Sequence, residues 1–116
     1  FIANNNDPHI CNIDLPAEAA EKKYLFLKQI CKTSDKDQIS FAQLFWQSDT
    51  NSSYSEEYSV TFPIYPDGKV HNYLVNLEEY TNKIPTKWRN STNIQRLRFD
   101  PMCNSGIFQI LEFQFL

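Results

Sequence analysis

The sequence predicts an all-β fold, a two-sheet antiparallel β-sandwich of the jelly-roll kind with about seven or eight strands. Three observations carry that expectation. Apolar residues recur with period two, most clearly over 58–65, where Tyr58, Val60, Phe62 and Ile64 share one face and Ser59, Thr61 and Pro63 the other. Nine Phe, six Tyr and two Trp supply the aromatic bulk that suits half-buried pleated surfaces. The last third of the chain runs in order through Trp88-Arg89, Ile94-Gln95-Arg96-Leu97-Arg98-Phe99-Asp100-Pro101, Gly106 and a final apolar strand. Within it, Pro101 cannot donate to a ladder, so Arg98-Phe99-Asp100-Pro101 reads as a strand end entering a loop.

Residues 10–14 read as a short first strand. Residues 16–23 are rich in Ala, Glu and Lys and suit about one or two helical turns, too few to stand alone. Residues 24–33 and 39–47 are apolar runs expected to be strands packed on both sides, and the Ser34-Asp35-Lys36-Asp37 turn between them predicts an antiparallel pair. Residues 48–57 form a polar loop long enough to bind something. After the 58–65 strand, Pro66-Asp67-Gly68 offers a fixed φ, an Asx-type residue and a glycine for positive φ, which predicts a tight turn. In the next strand, 70–77, Tyr73, Val75 and Leu77 alternate with Asn72, Leu74 and Asn76. Strands at 94–100 and 107–116 close the domain, and pairing the chain ends would bury Phe108, Ile110, Phe113 and Phe115.

A chain of 116 residues is long enough for one core and too short for two, so residues 1–116 form a single module. It starts at Phe1, and residues 1–9 show neither a basic segment nor an apolar run of about 7–15 residues, so the expectation is a module excised from a larger protein. No stretch approaches the roughly 18 apolar residues of a membrane span. The net charge of −3 argues against a general nucleic-acid binder, although residues 83–98 carry Lys83, Lys87, Arg89, Arg96 and Arg98 and no acid. Cys11, Cys31 and Cys103 are widely spaced, lack zinc-ligand register and are read as reduced; a Cys11–Cys31 or Cys31–Cys103 disulfide is the alternative for an exported parent.

Enzyme chemistry finds little support. Neighbours on a strand point to opposite faces, so neither Glu56-Glu57 nor Glu78-Glu79 is by itself a glycosidase pair. His9 and His71 have no serine or cysteine in a nucleophile context and are expected to be surface or packing residues. Asn51-Ser52-Ser53 and Asn90-Ser91-Thr92 match the glycosylation pattern, which matters only in a eukaryotic secreted protein. Arg96, Arg98 and Asp100 alternate onto one face, so an Arg98–Asp100 contact is expected to hold the fold.

The set formed by Ala42-Gln43-Leu44-Phe45-Trp46, Tyr54-Ser55-Glu56-Glu57, Tyr73-Leu74-Val75-Asn76-Leu77, Trp88 and Arg96-Leu97-Arg98-Phe99-Asp100-Pro101 resembles a known family. These are the galactose-binding-like, carbohydrate-binding-module-type β-sandwich domains appended to bacterial surface-polysaccharide glycosyltransferases and related glycan-processing proteins. The resemblance covers residues 40–116 and departs from the family after Trp88, where Arg89-Asn90-Ser91 stands in place of an early glycine. It implies a non-catalytic jelly roll that accompanies an enzyme, with a carbohydrate and the parent's catalytic domain as partners. The implied setting is the bacterial cytoplasm or a membrane-associated parent, with an extracytoplasmic location as the alternative.

Sugar rings present apolar C–H faces and hydroxyls, so a site needs an aromatic platform and planar polar side chains. Trp46, Tyr54, Tyr65 and Trp88 are the candidate rings, and Asn72, Asn76, Gln47 and Arg89 the candidate polar groups. The leading expectation is that Trp88 or Tyr54 stacks on the sugar, flanked by Arg89 and by Glu56 or Glu57. The competing reading places both tryptophans in the core. No cofactor is expected; a structural calcium, as in many jelly rolls, has no Asp-x-Asp spacing to support it. A docking or dimerisation module using an aromatic edge is the second functional reading. Binding of anionic groups by the 83–98 stretch is the third, and its steep weakening with salt separates it from the first.

Overall fold

The computed structural model describes residues 2–5, 10–14, 22–33, 40–47, 54, 56–78, 80–81, 84–85, 88, 96–101 and 106–116. The strands are β1 (Ile2–Asn5), β2 (Ile10–Asp14), β3 (Tyr24–Thr33), β4 (Ser40–Gln47), β5 (Ser59–Ile64), β6 (Asp67–Asn76), β7 (Tyr80–Thr81), β8 (Ile84–Pro85), β9 (Arg96–Asp100) and β10 (Gly106–Phe115). They form one four-stranded sheet in the order β1-β10-β3-β6, a second in the order β2-β9-β4-β5, and a small β7-β8 hairpin. Every pairing is antiparallel. With the hairpin set aside, β1 pairs with β10, β2 with β9, β3 with β6 and β4 with β5, as in one long folded ribbon. The β10–β3 and β9–β4 ladders then roll that ribbon into two sheets, which is the jelly-roll winding.

Alternation along each strand sends one set of side chains between the sheets. Leu25, Leu27 and Cys31 of β3 meet Ala42, Leu44 and Trp46 of β4, Val60, Phe62 and Ile64 of β5, and Leu97 and Phe99 of β9 in one core. Phe108 is buried there, and Ile110, Phe113 and Phe115 pack against it as partly buried residues, so the closing strand behaves as its pattern predicts. Phe99 and Phe113 cross edge to face at 5.3 Å between the two sheets.

The Arg98-Phe99-Asp100-Pro101 segment ties the layers. Arg98 Nε and Nη2 donate to the two carboxylate oxygens of Asp100 at 2.9 and 3.2 Å, and the guanidinium lies 5.3 Å from the Phe45 ring centre. This is the expected contact, and it shields an apolar side chain on the outer face of the sheet. Past the strand end, the Pro101 carbonyl accepts from Gln29 Nε2 at 3.2 Å and from Cys31 Sγ at 3.7 Å, joining β9 to the opposite sheet. The last residue closes the other end: Leu116 O accepts from Lys23 N and Tyr24 N, and Leu116 N donates to Tyr24 O.

Several sequence expectations are corrected. β3 and β4 do not pair; they lie in different sheets, and the 34–37 segment expected to join them as a turn lies outside the described residues. Neither strand is packed on both sides throughout, because Tyr24 and Phe41 are exposed. Residues 10–14 form the second strand, since β1 precedes them and pairs with β10. The tight turn expected at 66–68 is instead the start of β6, which begins at Asp67, and β5 and β6 are edge strands of opposite sheets. Cys31 is a free, buried thiol, so neither proposed disulfide through it is present, and burial pushes its pKa up to about 12. Of the 16–23 stretch expected to form helical turns, Lys22 and Lys23 are described and are not helical, and the rest of it, like the two glycosylation patterns, lies outside the described residues.

Candidate functional site

Trp88 is a core residue and not a platform. It is 1% exposed, its ring stacks on Phe115 (5.7 Å, 8°) and meets Trp46 edge to face (5.1 Å, 88°), and its Nε1 donates to Lys22 O at 2.8 Å. Both faces are covered and its polar atom is satisfied, which removes the stacking role expected of it. Tyr54 is half-buried, with its hydroxyl donating to Leu97 O at 3.1 Å. Glu56 and Glu57 are exposed on a 3-10 turn, Glu56–Tyr58. Glu56 Oε2 accepts from Gln43 Nε2 at 2.7 Å, and Ser59 Oγ donates back to Glu56 O at 2.8 Å, so Glu56 serves the β4–β5 edge. Arg89 lies outside the described residues, as does most of the basic 83–98 stretch. The constellation predicted around Trp88 therefore does not assemble among the described residues.

Of the candidate polar groups, Asn76 caps the turn after β6, its Oδ1 accepting from Glu78 N at 2.9 Å. Asn72 is exposed and alternates with Tyr73, so it faces the outside of the sheet.

The remaining candidate ring, Tyr65, is the one the structure presents to solvent, at 65% exposure. Its position follows from local chemistry. Tyr65 and Pro66 carry the chain from β5 to β6 across the edge of the sandwich. Gly68 then takes φ +81°, and the β3–β6 register slips, Lys32 pairing with Asp67 and Ile30 with Val70. This bulge with a left-handed glycine curls the start of β6. The curl brings Asp67 back to His71, whose Nε2 lies 2.9 Å from both carboxylate oxygens, while Lys69 N donates to Asp67 Oδ1 at 2.9 Å. The Lys69 N–H first and the His71 hydrogen bond second hold the Asp67 carboxyl below its ordinary value of 3.8.

Around this carboxylate the rings gather. Tyr65 lies 5.0 Å from the His71 ring and nearly parallel to Tyr73, with centres 6.5 Å apart at 15°. Tyr65 N donates to the Tyr73 hydroxyl at 2.9 Å, and Tyr73 leans on core Phe62 at 6.2 Å. Burial raises the Tyr73 pKa, so its hydroxyl stays protonated at neutral pH. The series Phe62, Tyr73, Tyr65 thus runs from core to solvent and braces an exposed ring from behind. An ionised carboxylate only accepts, so His71 Nε2 is the donor to Asp67. Sequence reasoning named Tyr65 as a ring candidate and assigned His71 to surface or packing. Their union depends on the bulge, for which Asp67-Gly68 was the available signal.

Among the described residues no group of three or more His, Cys, Asp or Glu could hold a metal ion, and no helix is long and apolar enough to cross a membrane. No family model, curated protein or solved structure matches this chain.

Proposed function

We propose that this domain is an accessory, non-catalytic carbohydrate-binding module of a glycan-processing protein, and that its ligand surface is the Tyr65–His71–Tyr73 cluster. The observation that carries this reading is the exposed Tyr65 ring, buttressed by His71 and Tyr73 and placed beside the Asp67 carboxylate. A solvent-facing ring suits the C–H face of a pyranose. Hydroxyls around the sugar edge would meet an acceptor on Asp67 Oδ2 and a donor on the Tyr73 hydroxyl. The jelly-roll scaffold supports the reading by analogy of fold alone.

The test is a panel of neutral oligosaccharides titrated into the 116-residue chain by calorimetry, with Tyr65→Ala and Tyr54→Phe alongside. Tyr65→Ala should lose roughly tenfold or more in affinity while Tyr54→Phe keeps it. Binding led by stacking should change little with salt. Unchanged affinity in Tyr65→Ala, or no binding across the panel, would sink the proposal.

A further inference from the structure

The outer face of the β1-β10-β3-β6 sheet carries large apolar side chains on either side of a polar row. Opposite the core-facing Leu25, Leu27, Gln29 and Cys31, β3 sends out Phe26, Lys28 and Ile30. The ladder sets Phe26 beside Leu74 and Ile30 beside Val70 on β6, and the irregularity in β10 turns out Leu111. Leu74 is 63% exposed, and Val70, Ile107 and Leu111 are each exposed by 41–48%. A sheet with one solvated face ordinarily alternates to polar residues there; here Asn72, Lys28 and Glu112 form one polar row across the face, with Phe26 and Leu74 on one side of it and Ile30 and Val70 on the other, and large apolar side chains exposed together on one face mark an interaction surface.

The charges on the patch indicate what covers it. Lys28 and Glu112 are direct ladder partners near the middle of the face, on adjacent strands β3 and β10. A dyad lying in the contact plane along the strands, between β3 and β10, sets β3 over β10 of a second copy. Lys28 then meets Glu112 of the second copy and Glu112 meets Lys28 of the second copy, the reciprocal pairing that an isologous interface requires. The same axis lays Leu111 over β3 of the second copy, between its Phe26 and Ile30. At about 4.8 Å between strands and about 3.3 Å per residue, the face measures about 540 Å². Two such faces remove about 1,100 Å² from water, just above the roughly 1,000 Å² that a specific contact should clear. We propose that this sheet face is the contact surface of a homodimer, with a second copy of this chain as its occupant. The tyrosine cluster belongs to the core-facing side and edge of β6, so the assembly leaves it open.

Sedimentation velocity on the full chain tests this, with Lys28→Glu and Glu112→Lys measured alone and mixed. The wild type should sediment at twice the 13.7 kDa chain mass at micromolar concentration. Each single variant faces like charge across the dyad and should fall to the chain mass. An equimolar mixture of the two restores both opposite-charge contacts and should return to the doubled mass, which a folding defect could not produce. A wild type that stays at the chain mass, as expected if another protein or nothing covers the face, overturns the proposal. So does a Lys28→Glu variant that dimerises as well as the wild type.

Discussion

At the scale of single residues, aromatic side chains of similar promise in the sequence have opposite fates. Trp46 and Trp88 pack against each other in the core, while Tyr65 stands in solvent. Nothing in the local sequence separates them, because the burial of Trp88 depends on Phe115 and Lys22, distant in the chain and brought together by strand pairing. Trp88→Ala should lower unfolding free energy by about 3–5 kcal/mol, measured by chemical denaturation. Tyr65→Ala should cost well under that, being a surface change. Asp67 gives a pH signature. Its folded-state pKa lies below 3.8, so the stability it adds is present above the unfolded value and is lost as pH falls through the folded one. The difference in melting temperature between wild type and Asp67→Asn should therefore be largest above the carboxylate range and should shrink as the solution is acidified below it.

At the scale of elements, the alternation patterns were legible and the pairings were not. The strand predicted at 24–33 is β3 without adjustment, and that predicted at 58–65 is β5 with its ends trimmed, because period-two burial is local information. The partner of a strand is not local: Ser34-Asp35-Lys36-Asp37 and Pro66-Asp67-Gly68 read as turns, yet β3 and β4, like β5 and β6, lie in different sheets. Gly68 was legible as a positive-φ residue and has that geometry, at +81°. A Cβ there would meet Lys32 Cδ at 3.4 Å, an ordinary contact, so the strain of Gly68→Ala is in the backbone. It should cost about 1 kcal/mol or more in equilibrium unfolding. Because the bulge sets the Asp67–His71 contact, the same variant should weaken ligand binding at Tyr65 even where it remains folded.

At the scale of the whole molecule, the jelly roll follows from the end-to-end pairing of the ribbon, and the closing strand's apolar pattern announced it. The two sheet exteriors then divide the remaining work. One covers Phe45 with the Arg98–Asp100 pair, and the other leaves Phe26, Ile30, Val70, Leu74 and Leu111 on its outer side. The tyrosine cluster sits at the β5–β6 edge between them. The most direct test of this division is a two-dimensional NMR titration of the chain with oligosaccharides, following the Tyr65 and Tyr73 ring signals and the two Trp indole signals together. Saturable shifts are expected at the tyrosine rings and at His71, with the indoles of buried Trp46 and Trp88 unmoved. Shifts led by the indoles, or no shifts at any ring, would contradict it.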